Sequence, residues 1–417
     1  MSSPHDRSES RDALRVPAPR LTMNADGSST VSATIEFHGR PAELWYRFRG
    51  AVPEASASAF VPAVLLPAML QRRPLVFESP VSPRLLEALP TIQDIYATWV
   101  PALQRVPVRA ASGDAHASTS GEPGPDSASF FTGGLDSLYT YLTHRDRIGS
   151  LVFVPDFSAA MSADRRENAT KWLREAAAEF GVRLIEVETN HERLLEDWLE
   201  IGLRGQPSPT LMKFELAHGA ALAAVAHLLP RSIGRVFVAA SFTYNHLAPL
   251  GSHPLLDPLW STEARSIVHD GCAATRVDKA RVVATSEIAL RTLQVCASGG
   301  TGEFRNCGRC DKCLRTMVNL RVVGALERCP VFAEPLDLRR VSLTNMANER
   351  IDLADNLLAA KAIGTDRALI AALERGANPW APGRLLLQLM LAGWRLTKRV
   401  VPVRRVNGRI RWGTRPA

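Results

Sequence analysis

The feature that most restricts this chain is a regular alternation beginning near residue 127. Apolar, strand-like runs at 127–132, 151–154, 182–187 and 235–240 alternate with helical stretches at about 135–146, 162–180 and 211–229. That alternation predicts an α/β fold built on a parallel sheet with helices on both faces. Ligands in such folds bind at the carboxyl ends of the strands, so each strand end is a place to look for chemistry.

The flanks of this region differ from it. Residues 110–126 hold no apolar side chain larger than alanine and are rich in Gly, Ser and Pro, which reads as a flexible linker. Ahead of it, Val31, Ala33, Ile35 and Phe37 alternate with polar residues. Gly39, Arg40 and Pro41 then turn the chain into a second alternating run, Leu44, Tyr46 and Phe48, which together predict a β-hairpin. Ser82 and Pro83 stand where an N-cap and a first helical residue belong. The expected organisation is an N-terminal α+β domain over 1–109, the linker over 110–126, a catalytic domain over 127–330 and a helical C-terminal region over 331–417.

Among the 417 residues, 46% are hydrophobic and 22% charged, as in an ordinary water-soluble chain, and no apolar run reaches the ~20 residues of a membrane-spanning helix. The opening MSSPHDRSES has no apolar stretch behind its charges and does not read as a signal peptide, so a cytoplasmic protein is expected. The net charge of +8 is concentrated: residues 384–417 alone carry +9. Such a tail suits RNA phosphate, anionic lipid or an acidic face of its own protein, and it equally suits a solvated terminus. The apolar run Leu385–Leu391 before it reads either as a helix docked on the catalytic domain or as an amphipathic membrane-surface helix.

The first strand of the alternating region runs straight into Thr132-Gly133-Gly134-Leu135-Asp136-Ser137 and then into a helix. Strand, glycine turn and helix make a phosphate cradle. The glycines permit positive φ, backbone N–H groups close on oxyanions, and the helix N-terminus adds about half a positive charge. Thr132 and Ser137 add hydroxyls. A carboxylate at Asp136 repels phosphate unless it holds Mg²⁺ or caps the helix, so a metal–nucleotide complex is expected.

Four of the six cysteines fall as Cys296, Cys307, Cys310 and Cys313, with Gly308 inside the tight turn. A C-x2-C-x2-C run with a fourth cysteine ahead of it, ten residues intervening, has the spacing of a metal site. Four thiolates close a tetrahedral Zn²⁺ shell, and an iron–sulfur cluster is the rival occupant. Cys272 and Cys329 read as buried thiols.

The hexapeptide at 132–137 resembles the S-G-G-x-D-S signature of PP-loop ATP pyrophosphatases, with threonine in place of the first serine. With the cysteine cluster some 160 residues later, the chain over roughly 127–325 resembles the 7-cyano-7-deazaguanine synthase family. The resemblance implies a Rossmann-like sheet of the adenine nucleotide alpha hydrolase type. It also implies an enzyme that spends ATP, with Mg²⁺, to adenylate a substrate oxygen and release pyrophosphate, forming a C–N bond beside a structural zinc. It further implies that Lys279, ahead of the cluster, meets ATP phosphates alongside Asp136 and Ser137, and that Asp156 after the second strand lies near adenine or ribose. Asp156 also reads as ordinary turn chemistry.

Departures from that family concentrate where substrate is chosen. In place of its short tyrosine, proline, aspartate and arginine motif, this chain has a segment holding His253, Asp257, Trp260 and Glu263, read either as a pocket wall or as a proline-rich turn packed on the core. His246, at the end of the fourth strand, reads as an acid or base or as a surface histidine. A specialised relative acting on a small carboxylated substrate is therefore expected. An RNA-modifying sulfurtransferase and a non-catalytic nucleotide-binding regulator are the alternatives, and a homo-oligomer is compatible with all three.

Overall fold

The computed structural model describes residues 13–37, 39–113, 124–157, 163–203, 214–296, 305–343, 347–364, 366–377, 404–406 and 409–411. The N-terminal part comprises strands β1 (Leu14–Val16), β2 (Arg20–Met23), β3 (Ser29–Phe37) and β4 (Arg40–Arg49), helix α1 (Phe60–Gln71), strand β5 (Leu75–Phe77), helix α2 (Pro83–Trp99) and strand β6 (Val108–Ala110). The expected hairpin is β3–β4, with Val31 opposite Tyr46. The expected helix start is also present: Ser82 is the N-cap of α2, and its Oγ accepts the Leu85 N–H at 3.1 Å.

The alternating region gives β7 (Asp126–Phe130), α3 (Leu135–Thr143), β8 (Ile148–Phe153), α4 (Ala163–Phe180), β9 (Arg183–Thr189), α5 (His191–Leu203), α6 (Phe214–Leu228) and β10 (Ile233–Ala239). A fifth strand, β11 (Ser266–Asp270), has no counterpart in the sequence reading. It is short and half polar, and its sequence SIVHD presents only two aliphatic residues, so periodicity leaves it silent.

These strands belong to one mixed sheet in the order β11-β10-β7-β8-β9-β4-β3-β2. β7 to β11 run parallel, and the order reverses between β7 and β10. β4 closes the other side of β9 antiparallel, with Tyr46 opposite Thr189. Residues before 110 and residues after 126 therefore share a sheet, and they share a core as well, because one buried cluster runs from Leu14 to Ile267. The segment read as a linker is structured at both ends. Val108–Ala110 pairs with β5, and the Asp126 N–H bonds to the Ser232 carbonyl at 3.0 Å. Its centre, 114–123, lies outside the described residues. β1, β5 and β6 form a separate parallel sheet of three strands.

Strand alternation explains why both faces are covered. Val152, Val154, Val236 and Val238 enter the core beneath α1, α5 and α6, while their neighbours Leu151, Phe153 and Phe237 enter a second core beneath α3 and α4. The chain continues through α7 (Arg276–Val283), α8 (Glu287–Thr292), α9 (Asp311–Val322), α10 (Leu338–Leu343), α11 (Ala347–Ile363) and α12 (Arg367–Ala377). α9 to α12 pack around a third, smaller cluster that includes Val318, Leu353 and Leu369. Beyond residue 377 only the short antiparallel pair β12 (Arg404–Val406) and β13 (Arg409–Arg411) is described, so Leu385–Leu391 and most of the basic tail lie outside. Among the described residues no helix is long and apolar enough to cross a membrane.

Candidate functional site

The glycine turn sits at the carboxyl end of β7, beside the point where strand order reverses. In open parallel sheets this crevice is where ligands bind. Gly133 takes φ +71°, a conformation that disfavours any side chain, and a Cβ there would also come within 3.1 Å of Leu173. Gly134 is the N-cap of α3. The turn is held from within and from outside. Ser137 Oγ donates to the Gly134 carbonyl at 3.1 Å and accepts the Thr132 N–H at 3.4 Å, while the Gly133 carbonyl accepts the Gln294 N–H at 2.8 Å. Leu135 is buried in the core below, and Thr132 is open to solvent.

Asp136 projects from the first turn of α3 into a cluster of cations. Arg276 Nη1 donates to its Oδ2 at 2.8 Å and Lys279 Nζ to its Oδ1 at 3.0 Å. Lys279 also donates to the Ala240 carbonyl at the end of β10, at 2.5 Å, and its side chain is only 2% exposed. Burial by itself would raise the Asp136 carboxyl, but Arg276, Lys279 and, from α9, Arg315 together hold it below the usual carboxylate range. The sequence reading named Lys279 and missed Arg276, although three residues apart on a helix is same-face spacing. Arg315 carried no signal, because only the fold brings α9 to this place.

α7 is placed to deliver these cations by its own N-terminus. Thr275 and Asp278 form a capping box: Thr275 Oγ1 accepts the Asp278 N–H at 3.2 Å, and Asp278 Oδ2 accepts the Thr275 N–H at 3.1 Å. Farther along the same face of α3, Asp270 at the end of β11 accepts Thr140 Oγ1 at 2.8 Å and pairs with His144 Nε2 at 2.9 Å, which fixes the last strand to the helix that carries Asp136.

Cys296, Cys307, Cys310 and Cys313 place their sulfurs within 4.8 Å of one another. The 296–310 and 307–313 pairs are 3.9 Å apart and the 310–313 pair 3.4 Å. A disulfide needs ~2.0 Å, whereas four ~2.3 Å metal–sulfur bonds in a tetrahedron put sulfurs ~3.8 Å apart, so the donor set fits a single metal ion such as zinc. Gly308 supplies the turn with φ +76°, and a Cβ there would meet the Glu334 carbonyl oxygen at 2.5 Å. Cys310 occupies the N-cap position of α9 and Cys313 lies in its first turn. Asn306, fully buried, ties the loop base together: Oδ1 accepts from Val295 N at 2.7 Å and from Cys296 N at 3.1 Å, and Nδ2 donates to the Leu293 carbonyl at 2.9 Å. Residues 297–304 between the first two ligands lie outside the described residues.

The other sequence candidates divide. Asp156 falls in the single helical turn Pro155–Phe157 after β8; its side chain lies outside the described part. Glu263 reaches the N-terminal part of the chain, accepting Ser82 Oγ at 2.6 Å and the Arg84 N–H at 2.8 Å, so it caps α2. His246 pairs with Thr243 Oγ1 at 3.1 Å in its own turn. Trp260 is buried in the core. Cys329 is a buried thiol that donates to the Leu290 carbonyl at 3.1 Å, and burial pushes it up to about 12. Comparison with models of protein families, with curated proteins and with solved structures returned no match to this chain.

Proposed function

We propose that the chain is an ATP-dependent adenylating enzyme of the PP-loop pyrophosphatase type, whose five parallel strands form a Rossmann-like sheet. The observation that carries this reading is the convergence of Arg276, Lys279 and Arg315 on Asp136 at the helix N-terminus behind the Gly133–Gly134 turn. Three cations around one carboxylate leave a net positive site. Backbone N–H groups and the helix end add to it, and such a site suits a polyphosphate rather than a neutral ligand. Among the described residues, buried Arg276 Nε has no hydrogen-bond partner, and a phosphate oxygen would supply one.

On this reading Gly133, Gly134, Thr132 and Ser137 grip the pyrophosphate portion of ATP, Lys279 and Arg276 neutralise it as it leaves, and Asp136 holds Mg²⁺. The substrate supplies a carboxylate or carbonyl oxygen, which takes AMP and is then displaced by a nitrogen nucleophile. The four cysteines hold Zn²⁺ as a structural ion, since four protein ligands leave no open position. Four sulfurs all within 4.8 Å of one another favour one ion over a multi-iron cluster, which would spread its ligands wider.

The test is product analysis from Mg-ATP, with and without 7-carboxy-7-deazaguanine or a deproteinised metabolite extract, comparing wild type with Asp136→Ala at matched folded fraction. AMP plus pyrophosphate from wild type, lost in the variant, is the expected result. ADP plus orthophosphate would sink the reading.

A further inference from the structure

The ion cluster around Asp136 is layered. Lys279 and Arg276 are 2% and 9% exposed, whereas the carboxylate between them is 21% exposed, so the anion lies nearer to solvent than the two cations it pairs. Lys279 is held independently by the Ala240 carbonyl at 2.5 Å, and its Nζ lies 5.8 Å from the centre of the Tyr139 ring. Arg276 sits on the capped first turn of α7 and meets Asp136 through Nη1 at 2.8 Å. Its buried Nε has no hydrogen-bond partner among the described residues, so the side-on fork through Nε that Arg makes with carboxylate or phosphate is unmade. A second buried pair, in β11, is built differently. His269 Nδ1 is 2.7 Å from Asp257 Oδ2, the two side chains are 4% and 1% exposed, and Ser252 Oγ and the His253 N–H also bond Asp257, at 2.9 and 3.3 Å. That pair is sealed; although burial works the other way, Asp257 holds the imidazole up, at about 9.

We propose that Asp136 is a built-in stand-in for phosphate: its carboxylate occupies the oxyanion position in front of Lys279 and Arg276, and a polyphosphate binds by exchanging with it, which frees the carboxylate to hold Mg²⁺. Carboxylate and phosphate oxygens accept the same charged N–H donors, so the exchange leaves each donor served. Asp136 can swing away on its own side-chain torsions from the first turn of α3. The cations stay behind, because Lys279 keeps the Ala240 carbonyl and α7 keeps its capping box. A polyphosphate also has more oxygens than the carboxylate it replaces. One can reach Arg276 Nε, and others can reach the first N–H groups of α3, which have no partner within their own helix.

An order of binding follows from the charges. While both oxygens of Asp136 accept from cationic N–H groups, a divalent cation approaching the carboxylate meets two positive side chains and is repelled. Phosphate reverses that, since it takes over the cations and adds negative charge of its own. Metal-free pyrophosphate is therefore a ligand in its own right, and Mg²⁺ without phosphate is not. This inference rests on the phosphate-site reading of the glycine turn given above and is independent of what the ATP is used for.

The experiment is calorimetric titration of the full-length, zinc-loaded protein with pyrophosphate, in Mg²⁺-free buffer without chelator and again with millimolar Mg²⁺, comparing wild type with Asp136→Asn. Wild type is expected to bind pyrophosphate without Mg²⁺, and the variant, which has no internal anion to displace, to bind it about tenfold or more tightly. Mg²⁺ should then tighten wild type and leave the variant unchanged. AMP, which lacks a diphosphate, should not compete. Asp136→Asn is at risk of misfolding, so its melting temperature is followed in parallel and should rise in pyrophosphate by more than that of wild type. Two wild-type measurements stand without the variant: pyrophosphate binding free of Mg²⁺, and Mn²⁺, read by electron paramagnetic resonance, staying free when no phosphate is present. Equal or weaker Mg²⁺-free binding by the folded variant, wild-type binding that requires Mg²⁺, or stoichiometric Mn²⁺ binding without phosphate overturns the stand-in role and leaves the phosphate site standing. Pyrophosphate binding by neither protein in any condition overturns the stand-in role and the phosphate-site reading together. Exchange behaviour as expected, without AMP and pyrophosphate from Mg-ATP, supports the stand-in role and counts against adenylation alone.

Discussion

The Gly133 carbonyl accepts the backbone N–H of Gln294 at 2.8 Å, and Gln294 lies two residues ahead of Cys296. One hydrogen bond thus separates the phosphate turn from the cysteine cluster, and α9, whose first turn holds Cys313, also carries Arg315 toward Asp136.

Removing the metal should therefore be felt in the turn. Thiolate sites contribute on the order of 10 kcal/mol to folding. Chelation, or Cys310→Ser, is expected to lower the melting temperature by ten degrees or more and to speed amide exchange at 133–138. Hydrogen exchange followed by mass spectrometry reads both, and unchanged exchange in the turn of the chelated protein would show the two sites to be independent.

Asp136 sets a pH limit on the acid side. Its carboxyl lies below the ordinary range in the folded protein, so the stability it contributes is present above the unfolded value of ~3.9 and is lost as pH falls through the folded one. Asp136→Asn leaves Arg276 and Lys279 buried without a counter-charge and is expected to cost about 3 kcal/mol. Urea unfolding at pH 7 measures that loss, and the variant should unfold with a flatter acid limb than wild type.

His269 sets the limit on the basic side. Held up at about 9, it contributes stability that is fully present below its unfolded value of ~6.5 and fades as pH rises through 9, about 3 kcal/mol across that window. Wild type should weaken from pH 7 to 10 in urea titrations, and His269→Gln should lose that slope.

Two substitutions test the packing of these sites. Gly308→Ala puts a Cβ on the Glu334 carbonyl at φ +76° and should cost about 2 kcal/mol together with metal affinity, measured by zinc competition. Glu263→Ala removes both acceptors that hold the start of α2 and should cost about 1–2 kcal/mol, measured by denaturant unfolding, with pyrophosphate chemistry unchanged.

What could be read from the sequence was whatever repeats or has a fixed spacing. The strand–turn–helix at 126–143, the capped start at Ser82 and the four cysteines are local patterns, and each stands where the sequence placed it. Glu263 and Asp257 sit within one polar segment and could not be told apart by composition, yet one caps a helix 181 residues away and the other orients His269. Their roles depend on partners brought close by the fold. The same holds for Arg315, which needs the α9 geometry, and for β11, whose place is set by pairing with β10 rather than by its own hydrophobicity.

The pairing of Tyr46 with Thr189 has a consequence for how the chain is made. On a ribosome extending at ~5–20 residues per second, the β3–β4 hairpin emerges roughly 7–30 s before the strand that will cover its free side. During that interval the long edge of β4 is an open template for other nascent chains. Depletion of nascent-chain holdases should therefore aggregate this protein during synthesis, in proportion to any pause between codons 50 and 190, whereas the finished, refolded protein should be indifferent to them.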